Sequence, residues 1–106
     1  MRKGFPSYLI EEFGVIRLSK VAKTNDVKIT FSLPTDNPAG PVSVVGDFND
    51  WTPGKHVLAK RANGTRSVAV TVPAGAKYRF RYLGENGLWF DEPEVERDGD
   101  AGLLIT

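Results

Sequence analysis

VSVVGDFNDW, residues 42–51, runs from an apolar stretch straight into a crowded turn. Val42, Val44 and Val45, around Ser43, read as a strand. Gly46 permits a sharp exit from that strand. Asp47, Asn49 and Asp50 can bond nearby backbone N–H groups through their side chains and so lock an irregular loop. Phe48 and Trp51 sit three apart and can point in different directions. Phe48 is assigned to the core and Trp51 to solvent. A rigid loop that presents an indole suits a ligand with flat apolar faces, and sugar rings have such faces.

The stretches on either side repeat the strand signal. In residues 26–34, Val27, Ile29, Phe31 and Leu33 point one way, with Lys28, Thr30 and Ser32 opposite, as in a half-buried strand. Pro34 and the turn-rich TDNPAGP end it. Downstream, Thr52-Pro53-Gly54 turns, and residues 57–60 form a short strand with Leu58 inward. Asn63-Gly64 signals a hairpin. Residues 66–72 alternate with Val68, Val70 and Val72 inward, and Pro73-Ala74-Gly75 turns the chain. Residues 76–83 set Tyr78, Phe80 and Tyr82 inward against Lys77, Arg79 and Arg81 outward. A turn at residues 84–87 leads into a strand at 88–90, and residues 103–106 make a last short strand. No window after residue 25 sustains a helical period. The expected fold is all-β, an antiparallel immunoglobulin-like β-sandwich of about seven strands. Residues 1–25 are expected to be a peripheral N-terminal extension and residues 26–106 the single domain. Within the extension, Leu9, Ile10, Phe13 and Ile16 suit a short amphipathic helix, while residues 15–18 equally suit a strand.

Composition sets bounds on this picture. One domain is expected from 106 residues, with 41% hydrophobic residues for a modest core. A net charge of +1 implies neither nucleic acid nor an acidic membrane surface. There is no cysteine, so disulfides contribute nothing to stability and a reducing compartment suits the chain. The basic start MRKGFPSYLIEEF is interrupted by Glu11 and Glu12 before any apolar run reaches signal-peptide length, and no stretch is long enough to span a bilayer. The expected location is the cytoplasm.

GDFNDW also resembles the G-x-F-N-x-W signature of the family-48 carbohydrate-binding modules. These early-set, immunoglobulin-like domains occur at the N-termini of isoamylases and glycogen branching enzymes, and a similar domain lies in the beta subunit of AMP-activated protein kinase. The resemblance continues through Pro73-Ala74-Gly75, Tyr78-Arg79-Phe80-Arg81-Tyr82, Trp89 and Asp91-Glu92-Pro93, with residues 27–33 a weaker match to the first strand. It implies an early-set sandwich that binds α-linked glucans such as glycogen, starch or maltooligosaccharides, in company with a glycogen- or starch-metabolising enzyme.

The resemblance also implies a site. Small sandwiches often bury a tryptophan, but the family's motif positions stack on glucose rings, which assigns Trp51 and Trp89 to binding. Alternating charges are usually a solvated face. A lysine one residue after the aromatic bonds sugar hydroxyls in the family, and Arg79 holds that position here, with Lys77 beside it on the same face. The family places an asparagine just before the final strand. This chain has Arg97-Asp98-Gly99-Asp100-Ala101-Gly102 there, so Asp100 or Asp98 offers acceptors and no amide.

No catalytic residue, cofactor or metal site is expected. Asp91 and Glu92 are adjacent on an extended segment and point to opposite sides, unlike the facing carboxyls of a glycosidase. Glu94, Glu96, Glu11 and Glu12 read as solvated acids. His56 is the single histidine, which excludes a histidine metal cluster. Two further readings use the same residues. A protein-interaction module would keep the sandwich with little sugar affinity. A single-stranded nucleic acid would stack on Trp51 and Trp89 beside Arg79 and Arg81, but Asp47, Asp50, Asp91 and Glu92 would repel its phosphates.

Overall fold

The alternation at residues 26–34 becomes the longest ladder of the molecule. In the computed structural model, which describes residues 15–36, 38–93 and 95–106, β2 (Asp26–Pro34) pairs antiparallel along its whole length with β5 (Thr65–Pro73). The first sheet runs β1 (Val15–Lys20), β2, β5 and β4 (Ala59–Lys60). The second runs β3 (Ser43–Gly46), β6 (Lys77–Leu83), β9 (Ala101–Ile105) and β8 (Glu96–Asp98), with β7 (Trp89–Phe90) also on β6. Every pairing is antiparallel.

The two sheets close over one core. Ile29 and Phe31 of β2 meet Val44 of β3 and Phe80 and Tyr82 of β6, all fully buried. Phe31 is the hub, with ring centroids 5.2 Å from Phe80, 5.6 Å from Phe48 and 6.3 Å from Tyr82. Such tilted and edge-on pairs contribute about 0.5–1.5 kcal/mol each beyond their buried area. The inward sets read from β2, β5 and β6 all join this cluster, Val68 and Tyr78 as partly buried members.

The described residues hold nine strands instead of about seven. One addition is β1, which settles residues 15–18 as strand and pairs register for register with β2. Residues 15–20 are therefore an edge strand of the sandwich, with Ile16 packed against the core. Leu9, Ile10, Glu11, Glu12 and Phe13 lie outside the described residues, as does Glu94. The other addition is β8. All its residues are exposed, so no apolar alternation announces it, and its pairing with β9 defines it. Gly99 and Asp100 form the two-residue turn between them, Gly99 at φ +66°.

Three residues stand differently from the pattern of the sequence. Gly46 is fully extended, at φ −170°, so its role is space and not conformational freedom. A Cβ there would come within 2.4 Å of the Arg79 carbonyl oxygen. Glu92, which the sequence set beside Asp91 but pointing the other way, is buried at 2% exposure. Arg66, which the sequence left unassigned, holds an inward position opposite Leu33 and is buried. No helix among the described residues is long and apolar enough to cross a membrane.

Candidate functional site

The GDFNDW loop is built around Asn49. β3 ends at Gly46, and a single 3-10 turn covers Asp47–Asn49. The buried Asn49 amide accepts from the Gly46 N–H at 3.0 Å and donates to the Val44 carbonyl at 3.0 Å. It also meets His56 Nδ1 at 2.9 Å. Asp50 and Trp51 then both adopt left-handed backbone, φ +54° and +55°. That conformation costs an L-residue about 1–2 kcal/mol, and it is rare for a bulky side chain such as tryptophan. The Asn49 bonds and a Trp51 N–H bond to the Gly46 carbonyl, 2.9 Å, hold the strained turn in place.

Asp47 ties this loop to β6. The backbone N–H of Arg79 donates to Asp47 Oδ2 at 2.8 Å, continuing the β3–β6 ladder beyond the last paired residue. The Trp51 indole N–H donates to Oδ1 at 2.8 Å, and the Arg79 guanidinium lies 3.4 Å from Oδ2. Burial pushes the Asp47 carboxyl up, but the Arg79 backbone bond, the indole and the guanidinium outweigh it and hold it below the usual range. Trp51 is half-buried, and so is Phe48, whose ring leans on Phe31 and His56.

A second group forms around Trp89, which is 41% exposed. Trp89 pairs with Leu83, so it shares the outer face of β6 with Arg81. The Arg81 guanidinium sits 5.3 Å from the indole centroid, a cation–π contact. Its Nε and Nη2 donate to the two carboxylate oxygens of Asp91 at 3.1 and 3.2 Å. Arg97 reaches the same carboxylate at 3.5 Å and donates to the Asp100 carbonyl at 3.1 Å.

The outer face of β6 joins the two groups, because Arg79 and Arg81 alternate along it. Trp51 is linked to Arg79 through Asp47, and Trp89 to Arg81 directly. Asp100 connects to the second group through its backbone carbonyl, while its carboxylate bonds no side chain or backbone group among the described residues. Lys77 lies on the same face farther along β6, opposite Ile105, and among the described residues no hydrogen bond or ion pair joins it to either group. Asp47, Arg81, Asp91 and Arg97 were not among the residues expected to bind a sugar, Arg81 having entered only with the nucleic-acid reading. Alternation put Arg81 on the right face, but its partner Asp91 depended on the register of β7. Chemically the surface offers indole planes, guanidinium donors and carboxylate acceptors. Among the described residues no three of His, Asp and Glu converge where a metal could bind.

No family model matches the chain. Segments of it are similar to 1,4-alpha-glucan branching enzymes. The similarity to the enzyme of Corynebacterium jeikeium is 37% identity over 93 residues, 82% of this chain and 13% of that protein. The Agrobacterium fabrum enzyme is 48% identical over 48 residues, 43% of this chain and 6% of that protein. The Solanum tuberosum enzyme is 31% identical over 55 residues, 45% of this chain and 6% of that protein. The chain thus spans a small fraction of the length of these relatives.

Proposed function

We propose that the chain is a non-catalytic α-glucan-binding module of the family-48 type, acting beside an enzyme that works on the same polymer. The observation that carries this is the 37% identity, across 82% of the chain, with a segment of an enzyme named for 1,4-alpha-glucan. The geometry of the β6 face supports it. Trp51 and Trp89 supply flat apolar surfaces on which glucose rings stack. Arg79, which makes only long side-chain contacts to Asp47, donates to sugar hydroxyls. Asp100 accepts from hydroxyls at the β8–β9 turn. Arg81, held by Asp91, occupies a position over the Trp89 ring and orients it.

A neutral polyhydroxylated ligand suits such a surface. Each stacked aromatic contributes about 0.5–1.5 kcal/mol beyond area burial, and a charged hydrogen bond about 1.5–3 kcal/mol. Against the cost of association, a total of about −4 to −6 kcal/mol gives dissociation constants from about millimolar to tens of micromolar. Electrophoresis through native gels containing glycogen, soluble starch or no polymer tests the reading. Retardation in the glucan gels alone is the expected result. Equal mobility in all three gels would defeat it.

A further inference from the structure

His56 is the single imidazole of the chain, and the glucan reading gives it no task. It stands on the segment that runs back along the outer edge of β3. The Val44 N–H donates to the His56 carbonyl at 2.9 Å, and the Leu58 N–H donates to the Val42 carbonyl at 2.9 Å. Ser43 and Val57 form a bridge between these two bonds. The backbone thus fixes the half-buried ring beside the Gly46–Trp51 loop. Its edge meets the Phe48 ring, with centroids 6.1 Å apart.

Asn49 dictates what the ring nitrogen does. Asn49 Oδ1 accepts from the Gly46 N–H and Nδ2 donates to the Val44 carbonyl. A backbone N–H only donates and a carbonyl only accepts, so the amide is fixed one way round. The second Nδ2 hydrogen is left for His56 Nδ1, 2.9 Å away. That nitrogen must accept, so it carries no proton, and the ring is the neutral Nε2–H tautomer. A protonated imidazole has donors on both nitrogens and nothing to accept with.

We propose that His56 is a proton-operated latch on the GDFNDW loop. Neutral, it completes the bonds that seat the Asn49 amide. Protonated, it sets a donor against a donor and drives that amide out of its seat. Asn49 is buried, so its N–H cannot turn to water instead. The left-handed backbone of Asp50 and Trp51 persists only where its surroundings hold it, and the seated amide is part of that hold. Unseating the amide therefore frees Trp51. Histidine changes charge between about pH 5 and 8. Competing charges around the ring are few. β3 carries no titratable side chain. Asp47 on the turn is engaged by Trp51 and Arg79 and, held below the usual carboxylate range, keeps its charge throughout that window. Asp50 follows Asn49 and Lys55 precedes His56, and among the described residues no ion pair joins His56 to any group. The consequence for binding rests on the glucan reading: with Trp51 as a stacking ring, affinity is full at neutral pH and falls in mild acid.

The test uses proton–nitrogen correlation spectra of the intact chain from about pH 7.5 to about pH 5, inside the range where histidine changes charge. Long-range correlations of the imidazole are expected to show the Nε2–H tautomer at the neutral end. As the ring takes up its proton, the Asn49 side-chain amide and Trp51 indole N–H signals are expected to move reversibly with the same midpoint. In His56→Asn, whose Oδ1 stands close to the place of Nδ1 and accepts throughout the range, neither signal is expected to move. An Nδ1–H tautomer, an indole signal that stays in place while the imidazole titrates, or equal movement in His56→Asn would each overturn the latch. Glucan gels run at both ends of the range are expected to show a severalfold loss of affinity in acid for the parent and none for His56→Asn. Equal retardation of the parent at both ends would overturn the control of binding. Retardation at neither end would defeat the glucan reading, and the resonances would still decide the latch.

Discussion

At the residue scale the side chains of the loop divide between holding and presenting. Phe48 holds, since its ring packs against Phe31 at the centre of the core. Phe48→Ala is expected to destabilise the fold by about 3 kcal/mol, read as an early thermal melt. Trp51 and Trp89 are proposed to present their rings to the glucan. Alanine at either is expected to weaken maltoheptaose binding about tenfold or more, equivalent to about 1.4 kcal/mol, with the melting temperature little changed. Calorimetric titrations beside melts separate the classes: tryptophan variants that melt early and still bind would reverse the assignment. Asp47 links both classes, because one carboxylate receives the Trp51 indole and the Arg79 backbone. Its folded pKa is depressed below the usual carboxylate range. The stability it contributes is therefore present above the unfolded value and is lost as pH falls through the folded one. Melts taken from neutral pH down through the acid range are expected to show a steeper loss in the parent than in Asp47→Asn. Parallel curves would mean that the carboxylate's charge plays no part.

Among the elements, β6 does most to assemble the surface. It pairs with β3 on one edge and with β9 and then β7 on the other, so residues distant in sequence meet on its outer face. Its own pattern was plain in the sequence, because Tyr78, Phe80 and Tyr82 alternate with three cations. The strands that flank it were less legible. β7 has two residues and β8 has three, too few for any period to declare itself. β1 shows the opposite difficulty. Four of its six residues are exposed, and one apolar contact from Ile16 gives an edge strand little signal. We propose that the sandwich folds without it. A chain beginning at Thr24 is expected to melt cooperatively, at a temperature lower by roughly 5–15 °C for a loss of about 1–2 kcal/mol. It should also scatter more light, since the bare β2 edge invites pairing between molecules. Loss of the thermal transition would move β1 from the edge into the folding unit.

For the molecule as a whole, binding without reaction is the expectation. Incubation with maltoheptaose, soluble starch or pullulan should release no reducing ends above a heat-treated control, and release abolished by a single carboxylate substitution would contradict this. The sequence by itself determined the class of fold, because a sheet with one dry face forces a two-residue period, and β2, β5 and β6 carry that period without interruption. It also showed that GDFNDW would be held by its own short polar side chains, as Asn49 holds Gly46 and Val44, although Asp47 reaches instead across to Arg79. Tertiary structure alone decided the rest. Gly46 is needed because the Arg79 carbonyl passes where a side chain would stand. Asp91 partners Arg81, and Arg66 lies buried between Gly40 and Pro38, through contacts that cross from one strand or loop to another. Such pairings depend on strand register and on how the sheets close, and a local pattern fixes which face a residue takes but not what it meets there.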